Sequence, residues 1–362
     1  MEKLSISVDL VKSLNNISEN ILVIAGTRPE ITKLSPLINA IDAKVLLTGQ
    51  HYSKEMRESF LKLLTTKKIE KLDLEGFEDF GKNKYKITDT LTKNLKKRSE
   101  KLVIVLGDTN TTLAGALAAK ASNKQLLFLE SGMRSFELTQ IEEFNRLIVS
   151  HIADFNFCNH SSNVENLVKE GISEKKIFLT GSTVFSSLKL IESKKHIDDE
   201  GYVLLTLHRP ENVDNDKRLN ELVKSLQELN TKIIFPIHPR TKQKLKGFDP
   251  NISKNIEFIE PQDYETFISL ISQSKFVISD SGGLQEECMI LRKPLLIPRE
   301  YSERREMLNI FNILTPSVEE VLSESKKLEN YSSSLLKSVE SRDYLYGKGE
   351  VIDNMIQIIK QL

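Results

Sequence analysis

The sequence predicts an α/β protein made of two Rossmann-like, doubly wound parallel-sheet domains. Three observations carry this prediction. Short, continuous apolar runs recur along the chain, each the length of a buried strand. Longer stretches with helical spacing separate most of them. The runs also fall into two series with a polar, charged stretch between them. Strands buried on both faces lose apolar/polar alternation, and their alternation with helices implies parallel sheets covered on both sides.

The first series starts with "ILVIA" (21–25), followed by the strand-to-helix turn "GTRPE". "KVLLT" (44–48) comes next and runs into Gln50 and His51, then "KLVIVL" (101–106), which leads through Gly107 to Asp108. "QLLFLE" (125–130) ends on Glu130; Glu142 and Glu143 open the helix-like "EEFNRLIVSHIA", and "KIFLTG" (176–181) closes the series. These elements predict a first domain over 1–182, with residues 1–20 as an extension in which Leu10, Val11, Leu14 and Ile17 suit a short amphipathic helix. The seam is the helix and polar link of 183–202. The second series is "YVLLTL" (202–207), "KIIFPIH" (232–238), "IEFIE" (256–260), "KFVISD" (275–280) and "PLLIP" (294–298), giving a domain over 183–347. An amphipathic segment at 348–362 is expected to cross back to the first domain.

A length of 362 residues suits two cores rather than one. Lys+Arg and Asp+Glu are equal at 51 each, so no global field favours nucleic acid or an anionic membrane. The sequence has no apolar run near the ~18 residues of a membrane span. Its start lacks the basic and apolar segments of a signal peptide. Two widely separated cysteines, Cys158 and Cys288, make neither a disulfide framework nor a zinc pattern. A cytoplasmic protein is expected.

Ligands of such sheets bind beyond the carboxyl ends of the strands, so two facing sheets predict one central cleft. In "GTRPE", Gly26 permits a sharp exit, Thr27 caps the next helix, and Pro29 suits its first turn. Arg28 and the helix N-terminus favour phosphate, with Lys33 one turn on; a solvated arginine on an ordinary turn stays open. "SDSGGLQEE" repeats the device: Ser281, Gly282 and Gly283 offer open N–H groups for a diphosphate, and Glu286 or Glu287 can accept ribose hydroxyls. Arg304 is a further phosphate candidate, and Phe267 in "EPQDYETF" can hold a flat base. Asp108, Glu142 and Glu143 suit helix starts as well as chemistry. Glu130 ends a buried apolar strand, which is costly unless the carboxylate is paired, with Arg134 or Arg146, or used. His208 beside Arg209 in "LHRPEN" suits proton or charge work; His238 and His51 stand at other strand ends. No ligand spacing predicts a metal. No G-x-G-x-x-G predicts a held dinucleotide, so no cofactor is expected.

The motifs "GTRPE", "TGQH", "LGDTNTT", "LESGMRS", "EEFNR", "LTGST", "HRPEN", "PQDY", "SDSGGLQEE", "RKP" and "SERRE" occur in one order. Together, from about residue 21 to the C-terminus, the chain resembles the UDP-N-acetylglucosamine 2-epimerase family. The resemblance implies a GT-B-like fold and a homodimer with a UDP-sugar substrate. It matches Asp108, Glu130, Glu142 and His208 to catalytic positions, and Arg28 and Lys33 to contacts with UDP or the sugar. It matches Gln262 and Phe267 to the uracil, Ser281, Gly282 and Gly283 to the diphosphate, Glu287 to the ribose and Arg304 to the phosphates. Gln50, His51, Arg209 and His238 match a second, activating UDP-sugar site of bacterial relatives. There are departures: "FLESGMRS" replaces H-V-E-A-G-L-R-T, "HRPEN" replaces H-R-R-E-N, and "YLYGKG" replaces N-P-Y-G-D-G. They bear on the exact sugar and the activating site.

The implied reaction is reversible inversion at C2 by elimination of UDP to 2-acetamidoglucal and re-addition. A hydrolysing epimerase that releases N-acetylmannosamine, a 2-epimerase of a UDP-diacetamido-uronic acid, a retaining glycosyltransferase and a non-catalytic UDP-sugar-binding regulator are the alternatives.

Overall fold

The structure, a computed structural model, describes residues 19–49, 61–72, 84–190, 201–237, 239–245, 255–330 and 344–362. Gln50, His51, His238, the predicted helix around Leu10 to Ile17 and residues 191–200 of the seam lie outside them. The chain divides into two compact units, Met1–Leu190 with Tyr346–Leu362, and Ile191–Leu345.

The first unit runs β1 (Ile21–Ala25), α1 (Arg28–Ile41), β2 (Lys44–Leu47), β3 (Ile69–Lys71), α2 (Lys84–Leu95), β4 (Leu102–Leu106), α3 (Asn110–Ala121), β5 (Gln125–Leu129), α4 (Ile141–Ile152), β6 (Phe155–Cys158), α5 (Ser161–Lys169), β7 (Ile177–Leu179) and α6 (Val184–Lys189). The second runs β8 (Val203–Thr206), α7 (Pro210–Val213), α8 (Asp216–Leu226), β9 (Ile233–Pro236), α9 (Pro239–Lys244), β10 (Ile256–Ile259), α10 (Tyr264–Gln273), β11 (Phe276–Ser279), α11 (Leu284–Ile290), β12 (Leu295–Ile297), β13 (Asn312–Leu314) and α12 (Val318–Glu329). The last helix, α13 (Val351–Ile359), belongs to the first unit.

The first sheet has strand order β3-β2-β1-β4-β5-β6-β7 and the second β10-β9-β8-β11-β12-β13. The strand pairs are parallel throughout. Strand order reverses between β1 and β4 in one sheet and between β8 and β11 in the other. Those are the switch points beyond which open α/β sheets hold ligands, because adjacent loops there turn to opposite faces. "GTRPE" and "GDTNTT" leave the first switch point; "HRPEN" and "SDSGG" leave the second.

Side chains on a strand alternate between faces. Ile21, Val23 and Ala25 of β1 therefore join a core with α1, while Leu22 and Ile24 join one with α2 and α3. In α13, Val351, Ile352, Met355, Ile356 and Ile359 recur at helical spacing and are buried in the α1 core. Burying each such side chain contributes ~1.5–3 kcal/mol, which fixes this helix on the first unit. The second unit repeats the plan, with Leu219, Leu222, Val223 and Leu226 of α8 packed on its sheet.

The expectation of strands buried on both faces fails at 176–181 and 256–260. Leu179 of β7 is 59% exposed, and Glu257 of β10 is exposed. Both strands are sheet edges, where one neighbour is missing. The structure adds β3, β6 and β13, which the sequence reading does not predict.

Candidate active site

At the first switch point the β1 turn closes too tightly for a side chain at Gly26. A Cβ there would stand 2.0 Å from Thr111 Oγ1 and 2.5 Å from Thr48 Oγ1, two hydroxyls hydrogen-bonded to each other. Glu30 ties this turn to the next. Its carboxylate accepts from the backbone N–H of Gly26 and of Thr27 at 2.8 and 2.6 Å, and from the hydroxyls of Thr27, Thr109 and Thr112 at 2.9, 2.7 and 3.0 Å. The loop that carries Arg28 is thereby joined to the loop that carries Asp108. Arg28, in the first turn of α1, is half-buried. Burial pushes the Glu30 carboxyl above its ordinary value, and the hydrogen bonds from Thr109, Gly26 and Thr27 only partly offset this.

Asp108 is not the cap of α3; Thr109 is, its hydroxyl accepting from the Thr112 N–H at 3.1 Å. That leaves the Asp108 side chain for the Arg146 guanidinium, with which it forms an ion pair. Asn145 donates to the Asp108 carbonyl at 2.8 Å. Arg146 also pairs with Glu143 at 2.9 Å, and Glu143 accepts from the backbone of Ser135 and Phe136. Glu143 is therefore the buried anchor of the 131–136 loop. Glu142, its neighbour on the first turn of α4, is half-buried.

Glu130 follows β5 with a backbone φ of +63°. A non-glycine residue held there stores strain of about 1–3 kcal/mol, a cost that clusters at functional sites. The sequence left Arg134 or Arg146 open as its structural partner; the structure gives it Lys33. Arg134 pairs with Glu170 at 2.8 Å, and Lys33 Nζ stands 2.6 Å from Glu130 Oε1. Both members of that pair are buried, Lys33 at 8% and Glu130 at 5% exposure.

At the second switch point Asp280 is the hub. It is 0% exposed. Its Oδ2 accepts from the backbone N–H of His208 and Arg209 and from Asn212 Nδ2, at 3.2, 3.0 and 3.0 Å. Its Oδ1 stands 3.1 Å from His208 Nδ1. Burial pushes this carboxyl up, but the hydrogen bonds from His208, Asn212 and Arg209 outweigh it and hold the group below the usual carboxylate range. The His208 side chain is 37% exposed, so the ring is held by Asp280 and still reached by solvent. Arg209 is half-buried at the start of α7.

Beyond β11, a Cβ on Gly282 would stand 2.0 Å from Glu303 Oε1, whereas one on Gly283 would meet nothing nearer than Ser281 Oγ at 4.0 Å. The two glutamates of "SGGLQEE" have separate fates. Glu286 is 0% exposed and pairs with Arg304 at 2.7 Å, while Arg304 Nε donates to the Gly282 carbonyl at 3.3 Å. Glu287 is half-buried and accepts from the Tyr264 hydroxyl at 3.0 Å. Asp263 caps α10 through the Thr266 N–H. Phe267 on that helix is half-buried, and Gln262 just before it donates to the Glu260 carbonyl at 2.6 Å.

A family model for UDP-N-acetylglucosamine 2-epimerase matches residues 37–360. The chain belongs to the UDP-N-acetylglucosamine 2-epimerase family. It is 37% identical over 92% of its length to the UDP-N-acetylglucosamine 2-epimerase of Methanococcus maripaludis, covering 97% of that protein. It is 31% identical over 94% of its length to the UDP-2,3-diacetamido-2,3-dideoxy-D-glucuronate 2-epimerase of Pseudomonas aeruginosa, covering 99% of it. The crystal structure of the Methanocaldococcus jannaschii UDP-GlcNAc 2-epimerase in complex with UDP-GlcNAc and UDP matches with a TM-score of 0.83 at 34% identity, covering 94% of this chain and 99% of that one. These neighbours share the GT-B-like pair of parallel sheets.

In this epimerase-family chain the structure brings Lys33 to Glu130, joins the turns of Arg28 and Asp108 through Glu30, and sets His208 beside the "SDSGG" loop. Lys33 and Arg304, expected at phosphates, have their charged groups paired with Glu130 and Glu286. Of the four residues matched to a second UDP-sugar site, Arg209 alone is among the described residues. Sequence reasoning assigned no role to Glu30, Asn145, Asn212 or Asp280. Asp280 carries the signal that singled out Glu130, a carboxylate ending a buried apolar strand.

Proposed function

We propose that this member of the family interconverts UDP-N-acetylglucosamine and UDP-N-acetylmannosamine by anti elimination and re-addition of UDP. The second unit holds UDP in this reading. Ser281, Gly282 and Gly283 receive the diphosphate with Arg304 adding positive charge behind the loop, Glu287 accepts the ribose hydroxyls, and Gln262 and Phe267 bracket the uracil. The C1–O bond breaks with its electron pair leaving on the β-phosphate, the C2 hydrogen departs as a proton to a carboxylate, and C1=C2 forms. His208 and Arg28 meet the charge that develops on the diphosphate, where preorganised donors act most strongly. Asp108, Glu130 and Glu142 supply the acid and base on the two faces of C2. A proton delivered to the opposite face as UDP re-adds gives the epimer, with no net redox change and no nicotinamide.

The observation that carries this reading is the Lys33–Glu130 pair, a buried carboxylate held in a strained backbone position at a strand end with an ammonium 2.6 Å away. Such a pair suits a group that takes and returns a proton out of contact with bulk water. A second reading, a UDP-diacetamido-uronic acid as substrate, is favoured by the Pseudomonas aeruginosa relative.

Two further assignments complete the reading. A homodimer fits the exposed apolar side chains Leu117 of α3 and Ile141 and Phe144 of α4, which a second copy would cover. Work in the cytoplasm fits two free, buried cysteines, Cys158 and Cys288. NMR of the products formed from UDP-GlcNAc tests the function. UDP-ManNAc supports it; free N-acetylmannosamine means hydrolysis instead, and turnover of the uronic acid alone moves the assignment to the second reading.

A further inference from the structure

We propose that Asp280 is the positioning residue of His208, fixing the imidazole with its proton on Nδ1 so that Nε2 is the atom that exchanges a proton with the leaving diphosphate. The role given to His208 rests on the epimerase reading above; the tautomer does not. Asp280 ends β11, directly before the "SGG" turn, and His208 follows β8, its neighbour across the switch point. The two strands pair in register at Ser279 and Thr206, which brings the next residues of both chains together.

Oδ2 takes the backbone N–H of Arg209 and Nδ2 of Asn212, and the backbone N–H of His208 is shared between Oδ1 at 3.1 Å and Oδ2 at 3.2 Å, all of them obligatory donors. Oδ1 faces His208 Nδ1 at 3.1 Å. An ionised carboxylate only accepts, so a hydrogen bond across that distance places the proton on Nδ1. These three donors stop the carboxylate from rotating, so the ring is held by the same scaffold that shapes the turn. Asn212 is in turn fixed by its bond to the Pro298 carbonyl and by accepting from Arg218 Nε. A carboxylate that holds an imidazole in one tautomer while the opposite nitrogen does the chemistry is a recurrent device, and its amide replacement typically costs about 10⁴-fold in kcat by imposing the wrong tautomer.

The geometry predicts the same failure here. In Asp280→Asn the Arg209 N–H and Asn212 Nδ2 keep the amide oxygen at the Oδ2 position, and the NH₂ group then faces Nδ1. Donation from that NH₂ forces the ring proton onto Nε2 and takes away the lone pair that recovers the proton. The test is ¹⁵N NMR of the His208 ring in the free protein, assigned by comparison with His208→Gln, together with turnover and UDP affinity. The parent is expected to show a protonated Nδ1. Asp280→Asn is expected to show the Nε2–H pattern, to lose about 10³-fold or more in kcat by analogy with the same change elsewhere, where geometry stays intact, and to keep its UDP affinity far better than its turnover. A parent protein whose ring carries its proton on Nε2 alone overturns the proposal, whether or not the variant folds. So does Asp280→Asn with undiminished kcat, or a loss of kcat matched by an equal loss of UDP binding. If the protein proves to turn over no UDP-sugar, the epimerase reading fails and the ring spectrum still decides the tautomer.

Discussion

Glu286 and Glu287 are adjacent in sequence, yet replacing each by Gln should have opposite consequences. Successive residues on a helix point about 100° apart, so one glutamate is turned into the second unit and the other to the side. Glu286→Gln keeps the shape and removes only the charge. It leaves Arg304, 2% exposed, without the carboxylate 2.7 Å away. Removing one partner of a buried ion pair costs about 3–5 kcal/mol because the other charge stays buried and uncompensated. For a unit of this size each kcal/mol lowers Tm by roughly 2–4 °C, so the shift should be on the order of 10 °C. Glu287 is only half-buried and accepts from the Tyr264 hydroxyl, which a glutamine oxygen can still do. Tm should stay within a degree or two on that scale. UDP affinity should instead fall by roughly 10–100-fold, since hydrogen bonds to a charged group contribute about 1.5–3 kcal/mol. Thermal unfolding followed by circular dichroism and titration calorimetry with UDP read the two effects separately. An unchanged Tm in Glu286→Gln, or normal UDP affinity in Glu287→Gln, would refute the assignment of one to the scaffold and the other to the ribose.

The first-unit carboxylates should show the converse pattern. Asp108→Asn, Glu130→Gln and Glu142→Gln should each cut turnover by about 10²–10⁴-fold, while UDP affinity measured by calorimetry changes far less; equal losses of both would remove them from the chemistry. The raised pKa of Glu30 sets a pH dependence. The folded state binds this proton more readily than the unfolded chain, so the stabilisation is full below the ordinary 4.5 and is lost as pH rises through the folded value. The Tm of Glu30→Gln relative to the parent should therefore rise as pH increases above 4.5, and a constant difference across that rise would contradict the raised carboxyl. Phe144→Glu with Ile141→Lys should halve the mass seen by light scattering if the exposed apolar face covers a second copy; an unchanged mass would place the dimer contact elsewhere or show none.

The long apolar strands of both sheets were legible in sequence because continuous burial writes itself as continuous Val, Ile, Leu and Phe. β6 was not, because Asn156 interrupts "FNFC"; in the fold that side chain is buried and accepts from the Ser131 hydroxyl at 2.7 Å. β3 reads "IEK" and β13 "NIL", so charged or polar residues leave neither with a continuous apolar run. At the site, Glu130 stood out because a carboxylate ending an apolar run needs a reason. Its partner did not, since Lys33 lies 97 residues away and only the sheet brings them together. Asp280 obeys the rule that exposed Glu130, but the glycines after it drew attention to backbone rather than to the carboxylate. Which of Glu286 and Glu287 is buried depends on the rotation of α11 against Arg304, a tertiary fact that a two-residue "EE" does not encode.

The central claim is that C2 is inverted through loss and return of UDP, and the fate of two labelled atoms tests it. UDP-GlcNAc carrying ¹⁸O in the C1–O–P bridge is incubated with the protein in heavy water, and substrate and product are followed by ¹H and ³¹P NMR. The account predicts deuterium at C2 of the UDP-ManNAc formed and migration of ¹⁸O into non-bridging positions of the β-phosphate. An epimer that retains its original C2 hydrogen, with all ¹⁸O still in the bridge, would contradict it.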